Sequence, residues 1–261
     1  MAFRRRRPNR GAIVHDGVHR AIERNFGIRE ESVMTEIRPD MHINGVSSTP
    51  GGHYRSASID GVIKVEGALQ VDGLARMNGV VTVKGDLKAH ELEGDGKFKV
   101  QGRLSAGTAR INGLADVAGS VDGEHMILKG MLSVKGDCAV ERFEAEGGFE
   151  VGGLLNAGTV DIRLYGRGKA REIGGESIRV RKMARSAWKK IWEWMFPKWN
   201  PEMEVDVIEG DDVDLENTIA RVVRGNRVVL GPGCRIGRVE YGSELVRHPG
   251  AKANEEVKTG A

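Results

Sequence analysis

The sequence has few of the residues that usually mark a secreted, membrane-spanning or metal-binding protein. It contains two cysteines and seven prolines, and aromatic residues make up only 5% of it. Cys138 and Cys234 lie too far apart for a close-spaced zinc motif, which favours a reducing compartment. No apolar run reaches the roughly 18 residues that a transmembrane helix needs. The basic run Arg4–Arg7 is not followed by the apolar stretch of a secretion signal, so we expect a cytoplasmic protein.

Glycine, by contrast, is abundant, with 37 residues, and much of it is periodic. A motif V-x-G-x-φ, in which φ is apolar, starts at Val83, Val100, Val117, Val134 and Val151, so each copy begins 17 positions after the last. Two glycine ladders share this spacing: Gly79, Gly96, Gly113, Gly130 and Gly147 form the first, and Gly85, Gly102, Gly119, Gly136 and Gly153 form the second. A fixed period of this kind predicts a repeat architecture with one structural unit per copy.

The pattern inside each copy indicates β-structure. From Ile63 to Ala89 the odd positions are apolar or glycine and the even positions are mostly polar, which is typical of strands with one buried face. Because 17 is odd, the inward phase must switch once per copy, near residues 90, 110, 125, 142 and 161, where we expect a corner or bulge. A coil of parallel strands that rises about 4.8 Å per turn satisfies both requirements.

A helical repeat does not fit, because glycine in a helix interior costs about 1 kcal/mol per residue and no 3.6-residue period is present. The sequence therefore predicts an all-β protein, a single-stranded parallel β-helix or β-solenoid with a turn of about 17 positions. In such a coil, glycine is expected where the backbone turns inward or where side-chain volume is unavailable. On that basis Gly119→Val is predicted to overpack the interior and to destabilise the fold.

The chain divides into five predicted segments. Residues 1–50 hold no solenoid pattern and, with eight arginines against four acidic residues in the first 33, are expected to be a disordered basic tail. This tail could contact anionic lipid or nucleic acid, but a solvated tail is the simpler interpretation, and we expect no nucleic-acid partner. A translation start at Met34 instead of Met1 is an alternative. The solenoid is predicted over 51–180 and, after an insertion at 181–203, again over 204–246; 247–261 are predicted to be a disordered tail.

The insertion differs in chemistry from the rest of the chain. It contains all four tryptophans, and residues 179–200 carry seven lysines or arginines against one acidic residue. Its apolar positions follow the spacing of an amphipathic α-helix. Two interpretations stay open: the apolar face covers a side or an end of the solenoid, or it binds a membrane surface or a protein partner. The residues predicted to form the binding helix are Trp188, Lys189, Lys190, Ile191, Trp192, Met195 and Phe196.

The sequence resembles the bactofilins, the polymer-forming cytoskeletal proteins of bacteria, and most closely their longer subgroup in endospore-forming Gram-positive species. The resemblance covers about residues 41–246 and is carried by four stretches: GLLNAGTVDI at 153–162, REIGGESIRV at 171–180, IEGDDVDLE at 208–216 and VVRGNRVVLGPGCRI at 222–236. It implies a right-handed triangular β-helix whose ends join into filaments without nucleotide. It also implies roles in cell shape, envelope organisation or motility, often at the inner face of the membrane.

The sequence leaves two alternative functions. A non-polymerising solenoid could act as an adaptor that recruits a membrane or protein partner through residues 181–203. A hexapeptide-type acyltransferase is more remote; glycines between Gly61 and Gly85 recur at every sixth position, but His90 and His125 have no visible partner groups for base catalysis. We therefore expect self-association through the solenoid ends, and no enzyme activity, catalytic residue, cofactor, metal or small-molecule substrate. Cys138, which shares its repeat position with leucines and valine, is expected to be a buried small hydrophobe.

Overall fold

The structure is a computed structural model that describes residues 38–183 and 201–259. Within those ranges it contains strands and turns, and no helix. The strands are β1 (Met41–Thr49), β2 (Gly52–Tyr54), β3 (Ala57–Val65), β4 (Leu69–Val83), β5 (Leu87–Val100), β6 (Leu104–Val117), β7 (Val121–Val134), β8 (Cys138–Lys182), β9 (Met203–Leu215), β10 (Thr218–Leu230), β11 (Arg235–Arg247) and β12 (Lys252–Lys258).

The strands form one coiled sheet in which each turn pairs in parallel with the turn before it. The order follows the chain from β1 through β3 to β12, and β2 pairs with β4. Between Leu74 and Val151, residues that pair in neighbouring turns are 17 positions apart in the chain. The prediction of a parallel β-solenoid with about 17 residues per turn is thus confirmed.

Turn length changes towards both ends of the coil. The offset between paired residues is 16 where Met41 pairs with Ala57 and 18 where Ala57 pairs with Ala75. It falls to 15 where Met203 pairs with Thr218. It changes from 16 to 17 within the β10–β11 pair, at a bulge after Gly225. A constant offset of 17 residues between paired positions is therefore a property of the central turns.

One central turn shows how the sequence pattern produces three sides. In β6 the buried residues come in three pairs: Leu104 and Ala106, Ala109 and Ile111, Ala115 and Val117. Within each pair the residues alternate as in an ordinary strand, and between pairs the chain bends. The first bend, at residues 107–108, is where the inward phase changes from even to odd, as the predicted parity switch requires.

The interior is a stack of apolar columns, each made of one residue per turn. Leu87, Leu104, Val121 and Cys138 lie in one column, and Cys138 is fully buried there, which confirms the expected small hydrophobe. The void beside Phe98 has a volume of about 10 Å³, close to the space of one water molecule. The described core is therefore filled by side chains.

The coil continues across the insertion. Gly168 pairs with Met203, and Ile173 with Ile208, at an offset of 35. β9 thus stacks directly on the last turn of β8, as expected if the coil resumes after about one inserted turn. Because β8 extends to Lys182 and β9 begins at Met203, the inserted chain is shorter than the predicted 181–203. Residues 184–200, which contain all seven predicted binding-helix residues, lie outside the described residues.

Two predicted disordered segments contain strands. β1 lies within residues 1–50 and β12 within 247–261, so the predictions of disorder over Met41–Thr49 and Lys252–Lys258 are wrong. Both are end turns, which face one neighbouring turn instead of two. Their inward positions include polar residues such as Thr49 and Glu256, and this removes the alternating pattern that would mark them in the sequence.

Candidate assembly interfaces at the solenoid ends

The first end of the described solenoid is the outer edge of β1. Among the described residues β1 pairs with β3 alone, so the backbone groups along its other edge have no strand partner. Met41, Ile43 and Thr49 continue the interior columns of Ala57, Ile59 and Val65. Met41 is buried, and Ile43 is partly buried against the core. This end surface, which we call the N-terminal face, therefore has neutral side chains on its columns.

Hydrogen bonds hold the first turn to the next one. Asp40 accepts bonds from Arg55 Nε at 3.0 Å and from Ser56 Oγ at 2.6 Å. The bonds from Arg55 and Ser56 lower the pKa of Asp40 to about 2. Asp72 similarly binds His53 and Arg38, and these two partners lower its pKa. The carboxylates are thus charged at neutral pH and fix the position of the N-terminal face.

The opposite end consists of β12 and the last part of β11. β12 pairs with residues 235–241 of β11, and the remainder of β11 has no strand partner on its outer edge among the described residues. Arg247 continues the column of Leu215 and Leu230, and Glu256 continues the column of Val223 and Val239. The two charged side chains form an ion pair, with Arg247 Nε 3.3 Å from Glu256 Oε1. We call this end the C-terminal face.

The first glycine ladder lies at one bend of each turn. All five members have positive φ angles, between 99° and 144°, and Gly61 and Gly45 continue the row below them. A Cβ atom on Gly113 would overlap the carbonyl oxygen of Gly96 in the turn below. Glycine is therefore required at these positions for two reasons. The backbone adopts a positive φ, and the neighbouring turn lies too close to leave room for a Cβ atom.

The second glycine ladder lies at another bend, where backbone groups bond from turn to turn. The Gly119 amide donates to the Gly102 carbonyl at 3.0 Å, and Gly136 donates to Gly119 at the same distance. Gly119 is half-buried, and a Cβ there would lie 2.7 Å from the Gly102 oxygen. Destabilisation by Gly119→Val stays a prediction, but its cause is collision with the backbone of the neighbouring turn instead of overpacking of the interior.

Two features of the surface were missed in the sequence. The first feature is a set of exposed apolar residues, each of which directly follows a glycine of the first ladder or of its continuation: Val46, Val62, Val80 and Leu114 are 83%, 51%, 42% and 39% exposed. The second feature is the charged pair of the C-terminal face. Arg247 and Glu256 lie one 17-residue period after Leu230 and Val239. The repeat spacing could therefore have predicted that these two charged residues continue interior columns.

The remaining candidate residues do not come together as a site. His125 Nε2 lies 2.9 Å from Glu144 Oε1, and His90 is exposed. Burial raises the pKa of the Cys138 thiol to about 12 and that of Cys234 to about 11. In the part of the chain that the structure describes, no group of three or more potential metal ligands is present. Within the same ranges, no helical segment has the length and hydropathy of a membrane span.

These features define a class: a long parallel β-solenoid with a filled interior and two strand edges at its ends. Residues 54–156 match the family model for bactofilin, which is described as polymer-forming cytoskeletal.

Two curated relatives from Bacillus subtilis (strain 168) are similar over part of their length. The chain is 39% identical over 107 residues to the uncharacterized protein YhbF, which is 41% of this chain and 42% of YhbF. It is 38% identical over 110 residues to the uncharacterized protein YhbE, or 42% of this chain and 44% of YhbE. The match thus spans less than half of each relative. No solved structure matches the chain.

Proposed function

We propose that this chain is a structural protein that self-assembles end to end into filaments or scaffolds without nucleotide. The observation that carries the proposal is the outer edge of β1, which has no strand partner among residues 38–183 and 201–259, in a protein whose described turns stack through one parallel ladder. An unpaired edge is a template for another strand. A second copy of this chain can supply that strand, and the family description of the bactofilin domain supports this partner.

The experiment is negative-stain electron microscopy of the full chain, purified and treated with apyrase to remove nucleotide. We expect filaments or extended scaffolds whose amount rises with protein concentration. Adding ATP or GTP should leave their length distribution unchanged. Discrete single-chain particles at every concentration and salt condition would overturn the proposal. In the cell, we propose that these assemblies serve cell shape, envelope organisation or motility.

A second role as an adaptor is supported by the place of the insertion in the sequence and by its composition. Because Gly168 pairs with Met203, β9 stacks directly on β8, and residues 184–200 are inserted in the sequence between two paired turns. Its sequence, basic and rich in tryptophan, is of the kind that binds membrane interfaces. Co-sedimentation with anionic liposomes should therefore fall in the variant Trp188→Glu/Trp192→Glu. Unchanged lipid binding in that variant would remove the membrane role and leave a protein partner.

A further inference from the structure

One side of the coil carries a column of charges whose sign changes at its centre. This side, which we call the inter-ladder side, lies between each glycine of the first ladder and the next glycine of the second, as from Gly113 to Gly119. The outward residues along its middle stack in register from turn to turn: Lys64, Thr82, Lys99, Asp116, Ser133 and Glu150. Their neighbours in each strand point inward and are buried, so the column stands on a packed surface.

Most of the charges in this column have no ion-pair partner among residues 38–183 and 201–259. Lys99 and Glu150 are exposed, Asp116 is half-buried, and none of the three makes an ion pair with a described residue. Columns on the other sides differ: Arg76, for example, bonds to Glu93 of the next turn at 2.8 Å. The inter-ladder side therefore presents charges that a second molecule can pair.

The order of the charges makes the column complementary to a reversed copy of itself. From β3 to β8 its residues are positive, neutral, positive, negative, neutral and negative. A two-fold axis that crosses the side between Lys99 and Asp116 places each of these residues opposite the other in a second copy. The same axis sets Lys64 opposite Glu150. A copy that runs in the same direction and register opposes like charges instead, and one shifted to avoid them covers only half of the column, so the antiparallel orientation is favoured.

The column at the first-ladder bend supports the same orientation with apolar residues. It consists of Val62, Val80, Lys97, Leu114, Met131 and Gly148. The two-fold axis sets Val80, which is 42% exposed, opposite Met131 of the second copy, so apolar surface is covered beside the charges. On the other flank Lys84 and Lys135 come opposite each other, but Lys84 is already bonded to Glu66 at 2.8 Å.

The area of this side limits how strongly it can hold two isolated chains. Six turns with a rise of about 4.8 Å, and a width of about five residues, give roughly 400 Å² per partner. A stable protein pair usually covers about 800 Å² per partner. Contacts repeated along two polymers act together, however. The same contact is therefore transient between single chains and persistent between filaments.

We propose that the inter-ladder side is a lateral docking surface for a second copy of this chain that runs in the opposite direction. The inference rests on the proposed function, because end-to-end assembly supplies the repetition that so small a contact requires. It adds a contact through a side of the coil to the contacts through its ends. Filaments should therefore associate in antiparallel pairs, and high salt, which screens exposed charges, should separate them.

Carbodiimide crosslinking of the full chain tests the contact directly, because this reagent joins a lysine amine to a carboxylate that touches it. Lys64 and Glu150 are five turns apart in one chain, or about 24 Å at about 4.8 Å per turn. A link between them therefore forms only between two copies. We expect mass spectrometry to find this link at low salt. Its yield should fall about fivefold or more in about 1 M salt, where the Debye length is about 3 Å.

Charge reversal tests the orientation. Lys64→Glu and Glu150→Lys each place like charges opposite each other twice in an antiparallel pair. The fraction of paired filaments in negative stain should therefore fall about fivefold or more in either variant. The double variant Lys64→Glu/Glu150→Lys restores opposite charges at both places and should restore the pairs. Loss of the 2.7 Å ion pair from Lys64 to Glu66 cannot explain this rescue, because the double variant lacks that ion pair as well.

Lys88→Glu and Glu141→Lys are the matched controls. Each makes the same change of charge at an exposed residue that lies beyond the second-ladder glycine of its turn, outside the inter-ladder side. Both variants should keep the wild-type fraction of paired filaments. A loss of pairs in these controls equal to that in the test variants would show that net charge, and not the column, governs the association.

The outcomes separate the lateral contact from end-to-end assembly. If the chain forms no filaments at any concentration, the proposed function fails, and the presence or absence of the Lys64–Glu150 link alone decides the side contact. If filaments form but stay single and the link is absent, end-to-end assembly stands and the lateral surface is refuted. Pairs that survive either charge reversal, or that the double variant does not restore, refute it equally.

Discussion

At the scale of single residues, stacked backbones rather than core volume explain the glycine ladders. We predict that Gly113→Ala lowers the free energy of unfolding by about 1–3 kcal/mol, because alanine at φ = 129° is strained and its Cβ meets the Gly96 carbonyl. Denaturant unfolding of the purified variant measures this change.

Gly67→Ala is the matched control for that substitution. Gly67 lies at a bend of a similar turn, but its φ is not in the left-handed region and the nearest atoms to a new Cβ are 3.7 Å away. It should change stability by a few tenths of a kcal/mol at most. Equal losses for the two variants would show that neither positive φ nor turn stacking sets the glycine ladder.

The buried thiol of Cys138 gives a second prediction at this scale. Its pKa is raised to about 12 by burial, from an ordinary value of 9.0. Because the thiolate is the reactive form, a maleimide probe at pH 8 should label Cys138 only when the solenoid opens. The raised pKa also means that this thiol favours the folded state below pH 9 and that the contribution is lost progressively as pH rises from 9 towards 12.

Labelling followed by mass spectrometry tests the prediction, with the Cys234→Ala variant used to isolate Cys138. Modification should speed up sharply in denaturant. Rapid labelling of the native protein at pH 8 would contradict the buried position. The sequence located Cys138 on an interior column because its repeat equivalents are leucines and valine. It could not indicate the turn-to-turn carbonyl contacts of the glycines, because these depend on how closely neighbouring turns approach.

At the scale of elements, the first turn depends on a carboxylate with a low pKa. Asp40 has a pKa of about 2 in the folded chain, below its ordinary 3.8, because of the bonds from Arg55 and Ser56. Its contribution is therefore present above about pH 4 and is lost as pH falls towards 2. We predict that amide exchange in β1 accelerates over this range before exchange in β6 does.

Asp40→Asn provides the comparison for this pH effect. Asparagine cannot titrate there, so the variant should show faster β1 exchange at neutral pH and a smaller further increase on acidification. A wild-type β1 whose exchange follows that of β6 at every pH would contradict a local role for Asp40.

The elements also show where sequence reasoning succeeds and where it stops. For β5 to β7 the period of 17 fixes the register, the inward positions and the phase switch, because each turn repeats the same contacts on both sides. For β1 and β12 the pattern fades, since an end turn has one neighbour and tolerates Thr49 or Glu256 on a column. The turns formed by β9, β10 and β11 are shorter, with offsets of 15 and 16 between paired residues, so a fixed period of 17 does not identify them in the sequence.

At the scale of the whole molecule, the stack of turns continues directly from β8 to β9, although the insertion separates these strands in the sequence. Gly168 pairs with Met203 across the insertion, so the ladder from β8 to β9 needs no residue between Met183 and Pro201. We predict that deleting residues 184–200, which joins Met183 directly to Pro201, leaves the solenoid folded. The joined turn would pair at an offset of 18, which the protein already uses where Ala57 pairs with Ala75.

The thermal midpoint and the far-ultraviolet circular dichroism spectrum test this deletion. Both should stay close to those of the wild type, because the deletion removes no hydrogen bond of the ladder and no buried column residue of the described turns. A deletion of residues 104–112 is the contrasting variant: it removes about half of a central turn, shifts every later column out of register and should abolish cooperative unfolding. If the 184–200 deletion unfolds in the same way, the insertion is part of the stack. If it folds and also keeps the wild-type filament threshold, assembly depends on the solenoid ends and not on the inserted segment.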